Sequence, residues 1–216
     1  MKFSEYTLTA LKNFSTINPS LIIKAGNVQK TINADNTILV ESEFEDSFPL
    51  EFGIYDLNQF LGNITTLNNP ELDFNDKSVI MTDGDIKLNY YFCSTNLIKA
   101  PPDKELKMDQ VDAKFVLPNN ALQKLMRLAA MNNLPHLSIV GKNGELSAVV
   151  QDISNDTSNS VTTKIADYDG AEFVAPFQIE NFKIIPDDYD AEIKTKGFMK
   201  LTSRTRKTKY FIAEMN

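Results

Sequence analysis

Very few residues in this chain have the type and spacing that covalent chemistry requires. The single histidine, His136, follows Leu134-Pro135 at the start of an apolar run. A lone imidazole with no orienting partner reads as structural rather than as a general base. The single cysteine, Cys93, lies in an apolar stretch and reads as a buried thiol. It excludes an intrachain disulfide framework and fits a reducing compartment. Asp83 and Asp85 flank a glycine, and Asp187, Asp188 and Asp190 cluster after Pro186. Neither set has the spacing of a calcium loop with its closing Glu, so both read as turn carboxylates. No glycine loop for phosphate is present. An enzyme reading is left with no residues to carry it, and neither a cofactor nor a metal is expected.

The cations are more informative. Lys194, Lys196, Lys200, Arg204, Arg206, Lys207 and Lys209 fall within sixteen residues that contain no acid. Charges alternating with Thr in this way read as the solvated outer face of strands. A second set lies on segments with helical spacing. Segments 4–17, 56–67, 119–131 and 176–185 hold only three of the 29 acids, Glu5, Asp56 and Glu180, although Glu favours helix surfaces. Their polar faces instead carry Lys12, Asn13, Asn58, Gln59, Asn63, Gln123, Lys124, Arg127, Asn181 and Lys183. Cations and neutral amides suit a surface that faces phosphates, and Lys124 and Arg127, three apart, share one helix face. The net charge of -7 keeps the chain soluble and argues against indiscriminate nucleic-acid binding, without excluding such a local surface.

The elements that must position these residues occur twice. Ser4 to Ile17 reads as a helix with Leu8, Leu11 and Phe14 near one face, followed by strands over 21–44. Leu50, Phe52 and Ile54 alternate like a half-buried strand. Asp56 then caps a helix whose stripe is Leu57, Phe60, Leu61, Ile64 and Leu67. A hairpin turning at Asp83-Gly84 closes this half. The second half opens with a helix after Pro118, carrying Leu122, Leu125, Met126 and Ala129, and a hairpin at Lys142-Asn143-Gly144. Phe173 leads toward a short helix with Ile179 and Phe182, and further strands come after it. Pro19 matches Pro135, Phe52 matches Phe173 and Tyr91 matches Tyr210 at nearly constant offsets. The pattern predicts an internal duplication: a domain over 1–100, a linker over 101–110 around Pro101-Pro102, and a domain over 111–216. Each half runs helix, strands, helix, strands, so the fold class is α+β, with four helices on one side of antiparallel sheets. No apolar run approaches the length of a membrane span.

With its opening Leu11-Lys12-Asn13-Phe14, Tyr55-Asp56-Leu57-Asn58 followed by Phe60-Leu61, Asp167-Tyr168-Asp169-Gly170 and closing Tyr210-Phe211-Ile212-Ala213, the chain resembles the DNA polymerase sliding clamps of T-even-type phages. The resemblance covers essentially the whole chain. It implies two domains of the DNA-clamp fold per subunit and a head-to-tail homotrimer, with helices lining a hole and sheets outside. It also implies sequence-independent duplex DNA, a DNA polymerase and an ATP-dependent clamp loader as partners, a further part in late transcription, and action in the cytoplasm of the infected bacterial host. Two departures stand out. The chain stops at Asn216 without an extended tail, and its second helix has no basic residue.

The resemblance implies three sets of residues. Lys12, Asn13, Lys124, Arg127 and Lys183 are expected to face DNA. Leu97, Ile98, Phe211, Ile212 and Ala213 are expected to form a pocket for partner peptides. Ile86, Leu88 and Tyr90 are expected to meet Val161, Thr163 and Ile165 across the subunit seam, because unpaired strand edges invite pairing. The alternative is a phage structural or assembly protein of duplicated α+β domains that does not bind DNA.

Overall fold

The computed structural model describes residues 1–102, 104 and 106–215. The expected linker therefore lies partly outside the described residues, as does Asn216 at the end of the second expected domain. Internal contacts divide the chain into two units, Met1–Asp103 and Lys104–Asn216.

In the first unit, α1 (Glu5–Ile17) begins where the Ser4 hydroxyl accepts from the Thr7 N–H at 3.1 Å, satisfying one orphan donor of the first turn. Its buried stripe of Ala10, Leu11, Phe14 and Ile17 lies on β3 (Ile38–Phe48), with the Phe14 and Phe44 rings 5.5 Å apart. β3 pairs with β2 (Gly26–Ile32), and β1 (Leu21–Ile23) pairs with β4 (Phe52–Ile54). α2 (Leu57–Thr66) starts at Asp56, whose carboxylate accepts from the Gln59 N–H at 2.9 Å. It buries Leu57, Phe60, Leu61 and Ile64 and lies beside α1. A meander of β5 (Glu71–Phe74), β6 (Ser78–Asp83) and β7 (Ile86–Tyr91) completes the unit, with β7 at its edge.

The second unit repeats this plan. β8 (Ala113–Leu117) leads into α3 (Asn119–Asn132), which buries Leu122, Leu125 and Ala129 and ends at Asn133 in the left-handed conformation (φ 54°). β9 (His136–Lys142) and β10 (Glu145–Gln151) meet at Asn143-Gly144, both with positive φ, the tight turn expected there. With β11 (Val161–Asp167) and β12 (Phe173–Gln178) they form a sheet in the order β11-β10-β9-β12. β13 (Tyr189–Lys194), β14 (Phe198–Ser203) and β15 (Thr208–Ala213) form the matching meander, and β8 pairs with β13. The pairings β2–β3, β1–β4 and β5–β6–β7 thus recur as β10–β11, β9–β12 and β13–β14–β15.

The chain has three α-helices among the described residues, not four. β12 continues through Pro176, which its edge position tolerates, since an edge strand can spare an N–H. Only a single 3-10 turn, Ile179–Asn181, separates it from Pro186. So short a stretch cannot repay helix nucleation. Tyr91 and Tyr210 do not share an environment either. Tyr91 ends β7 and is 69% exposed, whereas Tyr210 is fully buried in the middle of β15. The strands match, but the residues sit at different places along them.

Candidate nucleic-acid and partner interfaces

The same periodicity that buries one stripe of each helix presents the other to solvent. Lys12 on α1 and Lys124 and Arg127 on α3 are set opposite the buried leucines, on the solvent side. Asn13 is half-buried, and its backbone carbonyl accepts from the Thr16 hydroxyl at 2.7 Å. Lys183 stands beyond the 3-10 turn rather than on a helix. On α2 the outward face is Asn58, Gln59, Gly62 and Thr66 with half-buried Asn63, and carries no cation.

Several of the sheet cations are paired, although Lys87 on β7 and Lys142 on β9 have no carboxylate partner among the described residues. On or beside strands, Lys24 holds Glu51 at 2.8 Å, Lys30 holds Glu41 at 2.7 Å, and Arg204 lies 3.5 Å from Asp190. Lys114 and Lys200 both hold Glu192, each at 2.9 Å. Hydrogen bonds from these two lysines hold the Glu192 carboxyl below its ordinary range. Among the described residues, Lys12, Lys124 and Arg127 have no carboxylate partner. A cation left without an internal counter-ion remains available to an external anion, and phosphate is the anion that a spread of such charges suits.

The residues expected at the seam lie on β7 and β11. Each is the terminal strand of its sheet, so one row of N–H and C=O groups has no ladder partner within that sheet. Ile86 is 59% exposed, while Leu88, Tyr90, Val161, Thr163 and Ile165 are half-buried. Of the expected pocket residues, Leu97 is 69% exposed and Ala213 half-buried. Ile98, Phe211 and Ile212 are buried. Ile98 packs near Gly53, where a Cβ would come within 3.1 Å of its Cδ1.

The residues that first attract attention as chemistry have structural partners. His136 is buried, and its Nδ1 accepts from the Ile153 N–H at 3.2 Å, with the Asp152 carboxylate 3.8 Å away. Burial pushes the Cys93 thiol up, and its N–H donates to the Gly53 carbonyl at 2.9 Å. Asp187 accepts from both the hydroxyl and the N–H of Thr205, at 2.8 and 3.1 Å, and from the Ser203 hydroxyl. Asp188 accepts from the Asn119 N–H at 2.7 Å and so anchors the start of α3. That capping is not legible in the sequence, because Asp188 lies 69 residues from the helix it serves. Tyr168, part of the Asp167–Gly170 stretch, lies across Gly141 and Gly170, and its hydroxyl reaches the Ala171 and Asp112 carbonyls at 2.8 and 3.2 Å.

Comparison with known proteins agrees with this arrangement. Residues 2–92 match a family described as DNA polymerase processivity factor. The chain is 31% identical to the sliding clamp of Vibrio phage KVP40, across 99% of this chain and 98% of that protein. It is 27% identical to the sliding clamp of Enterobacteria phage T4, across 91% of this chain and 89% of that one. The proliferating cellular nuclear antigen of Entamoeba histolytica superposes with a TM-score of 0.73 over 100% of this chain and 98% of its own, at 16% identity. A DNA polymerase sliding clamp from Pseudomonas aeruginosa gives 0.72 over 100% of this chain and 66% of its own, at 12% identity. At such low identity these two establish the fold, which is the α+β fold of DNA clamps.

Proposed function

The chain belongs to the sliding-clamp family of T-even-type phages, and from that premise we propose that it closes head to tail as a homotrimer around duplex DNA. Its function is that of a DNA polymerase processivity factor in phage replication. These full-length relatives favour that function over an assembly protein that does not touch DNA.

The observation that carries the finer reading is that Lys12, Lys124 and Arg127 stand on the exposed faces of helices with no carboxylate partner among the described residues. Together with Asn13 and Lys183 they supply the phosphate contacts. Contacts of this kind carry no sequence information and let a protein slide. Retention comes from topology rather than affinity, which reconciles DNA binding with a net charge of -7. The seam joins the free edge of β7 to that of β11 in the next subunit, since a head-to-tail contact closes when its rotation permits. Polymerase and loader reach the ring through peptides that insert beside Leu97, Ile98, Phe211, Ile212 and Ala213, as apolar anchors fill grooves. The protein performs no chemistry itself; an ATP-dependent loader opens and closes the ring in the cytoplasm of the infected bacterium. The same ring carries the late-transcription role through the same partner surface.

The test is retention on DNA. With loader and ATP, the protein should remain on circular duplex and run off the same molecule once it is cut. Equal retention on both forms would sink the topological reading.

A further inference from the structure

Tyr168 follows directly on β11, and its ring lies where a Cβ on Gly141 or Gly170 would overlap it. The seated ring brings its hydroxyl to two carbonyls, Ala171 at 2.8 Å and Asp112 at 3.2 Å. Asp112 is the residue at which the chain leaves the linker for β8. Its carboxylate grips the β13–β14 turn, accepting from the N–H and the hydroxyl of Thr195, each at 2.7 Å. On the same turn the Lys196 N–H donates to the Glu214 carboxylate at 2.6 Å, and the Glu214 N–H donates to the Gly197 carbonyl at 3.0 Å. Glu214 follows Ala213, where β15 ends. The turn Thr195–Gly197 therefore holds the end of the linker and the end of β15 at a fixed spacing. The Tyr168 hydroxyl fixes the Asp112 backbone that completes this grip.

Stability alone does not favour such a turn. Asp112 and Glu214 are both carboxylates, and the charge of Asp112 adds to the burial that pushes the Glu214 carboxyl up. Lys196 takes the left-handed conformation, at φ 58°, although Gly197 beside it is the residue suited to it. Like charges set together and a non-glycine residue in that region are costs that persist where a position has to be held. The two segments spaced by the turn are the linker and the end of β15, beside which partner peptides insert in the reading above. We propose that Tyr168 is a positioning residue for that partner surface. Through Asp112 and the Thr195–Gly197 turn it sets the separation of the linker from Ala213, and so the width of the groove that an apolar anchor enters. This rests on the partner reading and adds to it a residue that touches no partner. A groove works only when its walls are held to within about 0.5 Å, so one lost tie is felt in affinity.

Tyr168→Phe is the test, because it removes the hydroxyl and keeps the ring over Gly141 and Gly170. The full-length ring is titrated into the phage polymerase on primed circular DNA, with loader and ATP in excess. The clamp concentration giving half-maximal stimulation should rise about threefold to tenfold, the range of one missing hydrogen bond. The plateau and the native trimer mass should not change. Asp112→Ala, which frees the turn, should raise the same concentration, and the double variant should be no worse than Asp112→Ala, since both lie on one path. If Tyr168 only stabilises the fold, Tyr168→Phe lowers the melting temperature and leaves the half-maximal concentration unchanged, which overturns the proposal. Additive effects of the two substitutions, or loss of trimer mass in Tyr168→Phe, overturn it as well. Should Tyr168→Phe melt below the assay temperature, Asp112→Ala decides alone. Failure of the partner reading looks different: there, Ala213→Asp would stimulate polymerase as well as the wild type does.

Discussion

The Leu57 N–H donates to the Pro19 carbonyl at 2.8 Å, joining the start of α2 to the end of α1. In the second half the Ile179 N–H donates to the Pro135 carbonyl at 2.9 Å. One backbone bond, placed identically in both repeats, marks the duplication better than any side chain does. Beyond that bond the repeats diverge. After Leu57 a ten-residue helix forms, with an apolar stripe to bury; after Ile179 there is one turn before the chain meets Pro186. The two units therefore present unequal surfaces, and the unit with α3 carries more helix cations.

The edge strands give the first prediction. Leu88→Asp on β7 places a charge where the proposed seam excludes water, and Leu88 is only half-buried in the single chain. The variant should fold with an unchanged melting profile at high concentration but lose trimer mass at low concentration. A native mass spectrum that stays trimeric on dilution would move the seam off β7.

The helix cations, with Lys183 beyond the 3-10 turn, give the second. Changing Lys12, Lys124, Arg127 and Lys183 to Ala should preserve fold and trimer while weakening duplex binding and loading, with the deficit in affinity widest at low salt. Removing one phosphate contact should flatten the salt slope by about 0.9. Individually the effects should be small, as for exposed charge pairs in general. Arg127 should matter most, because its planar fork can hold a phosphate through two bonds. Reversal of all four to Glu should abolish loading; normal loading would mean that DNA does not pass along these helices.

Long amphipathic stripes make α1, α2 and α3 legible, since a stripe such as Leu57, Phe60, Leu61 and Ile64 has only one periodic reading. The fourth helix is a different case, because the apolar spacing of Ile179 and Phe182 says nothing about whether enough chain remains to nucleate one. Position along a strand is equally hidden. Tyr91 and Tyr210 are alike in sequence, but the pleat turns one outward and one inward. Lys12, Lys124 and Arg127 can be found from the sequence, while their lack of a carboxylate partner among the described residues cannot, since pairs such as Lys30–Glu41 and Lys114–Glu192 are set by strand register.

Exposure divides the expected partner pocket in a way that mutants can exploit. Leu97→Asp alters a side chain that is already solvated, so it should leave stability and trimer unchanged and reduce polymerase stimulation. Ile98→Asp puts a charge beside Gly53 in a buried site and should destabilise the fold by several kcal/mol, on the order expected for an unpaired buried charge. If Leu97→Asp stimulates polymerase fully, Leu97 lies outside the partner surface.

Gly141 answers a close approach rather than a turn. A Cβ there would lie 2.6 Å from Tyr168 Cε1 and 2.7 Å from Phe173 Cε1, so Gly141→Ala should push Tyr168 off its seat. The cost should be about 1–3 kcal/mol, the usual range for overpacking. Chemical unfolding checks the cause: if the two rings are the obstacle, Gly141→Ala should cost little in a background that already carries Tyr168→Ala and Phe173→Ala.

Asp187 sets the expected response to acid. Burial pushes its carboxyl up, but hydrogen bonds from Ser203 and Thr205, with the Asp188 N–H, outweigh this and hold it below the ordinary carboxylate range. The folded chain thus binds this proton more weakly than the unfolded chain does. The stability Asp187 contributes is complete above the unfolded value, about 3.9, and is lost as pH falls through the folded one. Asp187→Asn keeps the shape but removes the charge that these donors face. It should cost about 2 kcal/mol near neutral pH, the range for hydrogen bonds to a charged group. The gap between wild type and variant should then narrow as acid titrates the wild-type carboxylate. Urea unfolding of both proteins from pH 7 down to the limit of folding measures that gap. A difference that stays constant over the whole range would show that the Asp187 charge does not hold the turn around Ser203 and Thr205.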